Sequence, residues 1–196
     1  LKIGIIYKQK KLADTALVLF LKGAEIYKEL NNKQRLAISY NNIGNIYTDN
    51  NDYVKAISYH TLALNIRQEI GDKNGISSSY NNIGILYIKQ NKFDEARDAY
   101  LQAMLVSKMI NARPEMMTAY LGLSRCDSAK GNFFGAFESH KMYSAMNDSI
   151  YYTESAAKME ELQAKYENEK QEQQITLLEK DSLIEKSWRY ILTGTI

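Results

Sequence analysis

The feature that most constrains this chain is an internal repeat with a period of 40 residues. The segment YNNIGNIY at 40–47 recurs as YNNIGILY at 80–87, and Ile3–Tyr7 ends the same kind of unit. Further along each unit, Ala is followed four residues later by an aromatic residue or His: Ala16/Phe20, Ala56/His60, Ala96/Tyr100 and Ala136/His140. Self-similarity at a fixed period predicts stacked units that share a continuous core.

Each unit is expected to be a pair of antiparallel helices. Tyr40, Ile43 and Tyr47 are spaced three and four residues apart, which places them on one face of a helix. Only 10 Gly and 1 Pro interrupt the 196 residues. Short segments rich in Asn, Asp and Gly separate the helices and supply left-handed turn residues and N-cap candidates such as Asp52 and Asn132. The Gly in mid-helix (Gly44 and its equivalents) predicts a neighbouring helix backbone that passes closely.

This pattern resembles the tetratricopeptide repeat (TPR), W-x2-L-G-x2-Y followed by A-x3-F, with Tyr in place of Trp and a longer unit. The resemblance covers residues 1–150. It implies an all-α, right-handed superhelix of about four helix–turn–helix units, the first of them truncated. Residues 120–127 and 136–140 follow the same 40-residue period with fewer matching residues, and they form a degenerate fourth unit.

The groove of such an array is expected to be lined by the first helix of every unit. The resemblance implies that an Asn two residues before the repeat Gly binds the backbone of an extended peptide, and Asn42 and Asn82 match that position. An alternative is that these Asn residues bond between repeats and bind no ligand. We expect Ile85 and Ile88 to form an apolar floor and Arg125 to anchor an acidic group. The complete set of groove positions is Asn42, Asn45, Thr48, Asn82, Ile85, Ile88 and Arg125.

Residues 151–189 differ from the repeats. They contain neither Gly nor Pro, which predicts one helix about 60 Å long. A coiled-coil-like seam is expected along it, and it would pair two copies in a parallel homodimer through 152–188. The alternative is a capping helix that folds back on the repeats. The seam positions are Tyr152, Met159, Leu162, Tyr166, Ile175 and Leu178.

Trp188, Arg189 and the apolar residues 190–196 are typical of the entrance to a transmembrane helix; the alternative is a frayed end. The order of these parts, with the break at Asp148-Ser149 and the stretch from Leu162 to Lys170, resembles the sensor region of Bacteroidetes TPR-containing sensor histidine kinases and membrane-tethered helix-turn-helix regulators. The resemblance implies an extracytoplasmic, periplasmic module that signals across the inner membrane. The alternative is a soluble cytoplasmic TPR adaptor that scaffolds a complex.

Catalytic chemistry is not predicted. His60 and His140 occupy the aromatic position of the second helix, and Cys126 occupies a core position, so all three are expected to be buried. We identify no catalytic residues, metal site or cofactor, and the resemblance leaves any kinase domain outside this sequence. The chain has 25 Lys and Arg and 23 Asp and Glu, so its net charge is only +2. This charge does not indicate nucleic-acid binding, which depends on an excess of basic residues. The expected partner is a protein or peptide.

Overall fold

The computed structural model describes the backbone of residues 13–147 and 152–193 and the side chains of residues 14–147 and 158–189. Within these ranges the chain forms α-helices and no strands, so the all-α repeat array followed by one long helix is confirmed. The helices are α1 (Ala13–Glu29), α2 (Lys33–Asp49), α3 (Tyr53–Glu69), α4 (Lys73–Lys89), α5 (Phe93–Met109), α6 (Arg113–Ala129), α7 (Phe133–Met146) and α8 (Tyr152–Thr193). The predicted first helix of unit one lies outside the described residues.

The helices of the array are spaced with high regularity. From α1 to α6 every helix has 17 residues, and a three-residue turn follows it. Each turn has one residue with positive φ, a conformation that Gly and Asn tolerate best. These residues are Asn31, Asn51, Gly71, Asn91, Asn111 and Gly131. The 40-residue unit is therefore built from two halves of equal length.

The turn after α2 shows how three residues reverse the chain. The N–H of Asn51 donates to the carbonyl of Thr48 (3.1 Å), and the N–H of Asp52 donates to the carbonyl of Tyr47 (2.9 Å), which is the Schellman arrangement. Asp52 also caps α3, since its carboxylate accepts from the N–H of Lys55 at 3.2 Å. Asn132 caps α7 in the same way. The predicted N-caps are thus confirmed at Asp52 and Asn132.

An aromatic or His ring, not a helix backbone, occupies the space beside the repeat Gly residues. A Cβ added to Gly44 would lie 2.9 Å from the ring of His60, and one added to Gly84 would lie 2.8 Å from the ring of Tyr100. The expectation of a close backbone contact at these positions was therefore wrong. Ring and Gly are complementary because the missing Cβ provides room for a flat side chain in a densely packed interior.

The first half of α8 caps the array. Met159, Leu162 and Tyr166 have the same spacing as Tyr40, Ile43 and Tyr47 of the repeat. Leu162 is completely buried where α8 packs against α7. This part of the predicted dimer seam therefore contacts the array of its own chain, as the capping alternative proposed.

Two ring contacts hold α8 against the start of α7. The rings of Tyr166 and Phe134 have centroids 5.3 Å apart. The ammonium of Lys165 lies 5.4 Å from the centre of the Phe133 ring, a distance that allows a cation–π interaction. Tyr152 begins α8, and its side chain lies outside the described residues.

Beyond the cap, α8 continues as a single helix without intramolecular cover. The described side chains from 171 to 189 are all exposed, including Ile175 and Leu178 of the predicted seam. Among the helices described, none combines the length and the apolar character needed to cross a bilayer. The predicted membrane entrance at 190–196 is described only as helical backbone to Thr193.

Candidate protein-binding groove

The first helices of three consecutive units form one continuous wall. The helices α2 and α4 are joined by a hydrogen bond between their side chains, and α4 and α6 contact each other directly. The second helices α3, α5 and α7 pack against these first helices, and α3 and α5 supply the rings of His60 and Tyr100 that pack on the Gly residues of the wall. We call the exposed face of α2, α4 and α6 the groove.

Three of the predicted groove residues belong to α2. Asn42, Asn45 and Thr48 are all half-buried. The hydroxyl of Thr48 donates to the carbonyl of Gly44 at 2.9 Å, so its proton is used within the helix. The amides of Asn42 and Asn45 make no hydrogen bond to other described residues. An Asn amide offers both a donor and an acceptor, and these two are available to a ligand.

Asn82 on α4 bonds to a neighbouring unit. Its side-chain N–H donates to Oδ1 of Asn41 at 3.2 Å. This contact corresponds to the alternative in which the repeat Asn residues bond between units. This bond uses one N–H of the Asn82 amide, and the amide oxygen accepts no hydrogen bond from another described residue.

Asn81, which precedes it, was not predicted as a site residue. It is buried, and its side-chain N–H donates to the carbonyl of Glu115 at the start of α6, at 3.0 Å. Its Oδ1 has no partner among the described residues. In the previous unit the equivalent oxygen, Oδ1 of Asn41, accepts from the side chain of Asn82. In the next unit the position equivalent to Asn82 is Gly122, which has no side chain that could donate to Asn81.

Gly122 is buried beneath the ring of Tyr100. A Cβ at this position would overlap the ring more closely than one at Gly84. Tyr100 thus packs against Gly residues of two first helices at once, on α4 and α6. Burial is the largest cause that raises the pKa of its hydroxyl above the ordinary value.

The apolar and charged positions of the groove differ in exposure. Ile85 is 37% exposed, whereas Ile88 is half-buried and packs against the cluster that contains Tyr100 and Cys126. Of the two residues predicted to form an apolar floor, Ile85 is therefore the more accessible. Arg125 is exposed and makes no ion pair among the described residues, so its guanidinium is open to an acidic group.

Buried titratable groups behave as core residues. His60 and His140 are buried at the aromatic position of α3 and α7, as predicted. Cys126 is fully buried, and burial is the main cause that raises the pKa of its thiol to about 11. The thiol therefore remains protonated near neutral pH, which is unfavourable for a nucleophile. In the described part of the chain, His, Cys, Asp and Glu form no cluster that could hold a metal ion.

A second concavity lies where α8 meets α7. It has a volume of about 440 Å³ and is lined by Asn132, Phe134, Tyr166, Glu169, Lys170 and Gln173. Phe134 is 53% exposed, so the ring pair with Tyr166 borders solvent. This cleft belongs to the capping contact and lies outside the groove. The predicted groove residues are therefore found on α2, α4 and α6, away from the predicted seam residues on α8.

Comparison with protein families gives a match to a family model described as tetratricopeptide repeat, over residues 1–69 and 35–108. No curated protein sequence matches the chain.

Several solved structures have a similar fold. Aspartyl phosphate phosphatase F from Bacillus subtilis is 21% identical with a TM-score of 0.74, and the alignment covers 83% of this chain and 43% of that one. BtubC from P. vanneervenii is 16% identical with a TM-score of 0.69, covering 86% and 76%. A putative kinesin light chain with nearly identical TPR-like repeats from Podosopora anserina is 18% identical with a TM-score of 0.66, covering 94% and 92%. At these identities the similarity establishes the fold alone, and this chain spans less than half of the phosphatase.

Proposed function

Because the chain belongs to the tetratricopeptide repeat family, we propose that it is a non-enzymatic protein-interaction module that binds an extended segment of a partner protein in the groove of α2, α4 and α6. The observation that carries this proposal is the pair of open amides on Asn42 and Asn45 of α2, together with the exposed Ile85 on the neighbouring helix α4. Extended backbone presents N–H and C=O groups that Asn amides can pair with. Ile85 adds an apolar contact, which contributes affinity when it is covered.

The role that we favour for this module is an adaptor that brings its partner into a larger complex. In this role the groove holds the partner segment and the first half of α8 closes the array. The packing of Leu162 and Tyr166 against α7 supports this reading, because a capping helix covers the apolar end of a repeat array. Arg125, at the α6 end of the groove, favours an acidic residue in the partner segment.

A direct test selects peptides that bind the chain from a displayed random library. The affinity of the best peptide is then measured for the unchanged chain and for Ile85→Lys. The matched control is Leu105→Lys, since Leu105 is also an exposed apolar residue (59%) but lies on the second helix α5. We expect Ile85→Lys to weaken binding by at least about tenfold and Leu105→Lys to leave it unchanged. Equal losses in both variants, or a loss only in Leu105→Lys, would contradict the proposal.

The second candidate is the sensor module of a membrane signalling protein, periplasmic and connected to an output domain through α8. It is supported by the long uncovered end of α8, which carries the exposed Trp188 near its end, and by the resemblance to sensor kinases and tethered regulators. The test is membrane fractionation of the full-length gene product. Retention in the membrane after an alkaline wash supports the sensor, and complete release supports the adaptor.

A further inference from the structure

The uncovered end of α8 carries an apolar stripe that differs from the seam predicted by sequence. Leu177, Ile184 and Trp188 are 60%, 47% and 58% exposed. Their spacing of seven and four residues places them within an arc of about 40° on the helix. Ile175 lies about 160° from Leu177, on the opposite side. Most of the stability of a helix in a protein comes from packing of its apolar face, so the uncovered stripe favours a partner.

We propose that this stripe is the interface of a parallel, in-register dimer of the chain, independent of what the groove binds. The partner is inferred from the charges beside the stripe. With Leu177 and Ile184 at heptad position d, Lys180 falls at position g and Glu185 at position e. In a parallel coiled coil, residues at g and e of the two helices pair across the seam. Lys180 of each copy therefore meets Glu185 of the other.

Both charges are available for this contact. The ion pairs on the described part of α8 are Lys158–Glu161, Lys165–Glu161 and Arg189–Glu185, and none of them involves Lys180. The pair between Glu185 and Arg189, at 3.2 Å, is exposed on both sides, and such pairs are weak and readily shared. In an antiparallel dimer, g positions face g and e positions face e, so Lys180 would not meet Glu185. The charges thus favour a parallel second copy.

Asp181 is expected to weaken the dimer. It falls at position a, between Leu177 and Ile184, where two copies bring like charges together. A polar residue at a core position reduces stability and fixes the register. The dimer is therefore expected to be weak and reversible in dilute solution.

The first test is sedimentation equilibrium of the 196-residue chain over a range of concentrations. We expect a monomer–dimer equilibrium whose dissociation constant rises at least about tenfold in Ile184→Lys. Asp181→Leu should lower it by a similar factor. Ile175→Lys is the matched control, since Ile175 is 56% exposed on the opposite side of the helix, and it should change little. Circular dichroism of every variant verifies that the helices are retained.

Orientation is tested by oxidation of two cysteine variants with an added mild oxidant. Asp181→Cys should form a disulfide-linked dimer, because position a faces its own counterpart only in a parallel, in-register pair. Ile175→Cys should not, and Cys126 is buried and does not compete. A chain that remains monomeric at all concentrations, or an equal effect of the two Lys variants, would overturn the proposal. So would the absence of a disulfide in Asp181→Cys, or a monomer whose stripe binds lipid vesicles.

Discussion

The side-chain N–H of Asn82 on α4 donates to Oδ1 of Asn41 on α2 at 3.2 Å, which joins two consecutive units of the array. Asn82 is also one of the proposed groove residues, so we expect its amide to contribute both to the stacking of the units and to the surface offered to a partner. Asn42, one residue after Asn41, makes no such bond among the described residues. The two groove Asn residues are therefore expected to respond differently to substitution.

Asn82→Ala should lower the free energy of unfolding by about 1 kcal/mol, the usual net value of one hydrogen bond. Asn41→Ala should cost a similar amount, and the double variant less than the sum, because both changes remove the same bond. Asn42→Ala is the control and should stay within about 0.5 kcal/mol. Urea denaturation measures all four proteins. Strictly additive losses would show that the bond does not form in solution.

Gly122→Ala should destabilise the chain by about 1–3 kcal/mol, the usual cost of overpacking, because its Cβ would overlap the buried ring of Tyr100. Gly23→Ala in α1 is the matched control, since the nearest atom to its Cβ would lie 3.8 Å away. This control should be neutral or should gain up to about 1 kcal/mol from better helix propensity. The test is the midpoint temperature of thermal unfolding of the two variants. Equal midpoints would contradict the packing of Tyr100 on Gly122.

Leu162→Ala should lower the free energy of unfolding by about 2–5 kcal/mol, as expected for a fully buried Leu. Leu178→Ala is the control on the same helix; Leu178 is 67% exposed and its loss should cost no more than about 0.5 kcal/mol. The comparison is made by urea denaturation at low protein concentration. If both variants behaved like the unchanged chain, α8 would not cap the array.

Glu161 should titrate unusually low. Hydrogen bonds from Lys158 (2.8 Å) and Lys165 (2.7 Å) lower the pKa of its carboxyl from 4.5 to about 2. Because the pKa is lower in the folded chain, the stabilisation from these contacts is present above about pH 4.5 and is lost as the pH falls towards 2. Carbon-13 NMR titration of the carboxyl gives the midpoint. Lys158→Gln together with Lys165→Gln should move it back towards 4.5, and an unchanged midpoint would contradict the assignment.

The repeat array could be predicted from the sequence because its local rules are specific. Asn31, Gly71 and Asn111 end the second helices at positions that require a left-handed residue, and all three have positive φ. The Gly residues correctly indicated a close contact, but a missing Cβ does not reveal whether a backbone or a ring occupies the space. The buried Arg67 was not singled out; it donates to the carbonyl of Gly75 at 3.0 Å across the junction of α3 and α4.

The tail and the groove show where such prediction ends. Met159, Leu162 and Tyr166 have a three–four spacing that is common to a heptad seam and to the first helix of a repeat, so periodicity alone could not separate a dimer from a cap. The burial of Leu162 against α7 distinguishes them for this half of the helix. The role of Asn82 was equally open, because an amide is satisfied by a ligand or by Asn41.

The most direct test of the groove is photo-crosslinking with the selected peptide of highest affinity. A photoreactive benzoylphenylalanine replaces Ile85 in one variant and Leu105 in the other, both of them exposed apolar positions on opposite helices of one unit. We predict that the peptide is captured covalently from position 85 and not from position 105. Capture from position 105 alone, or equal capture from both, would contradict the assignment of the groove as the binding surface.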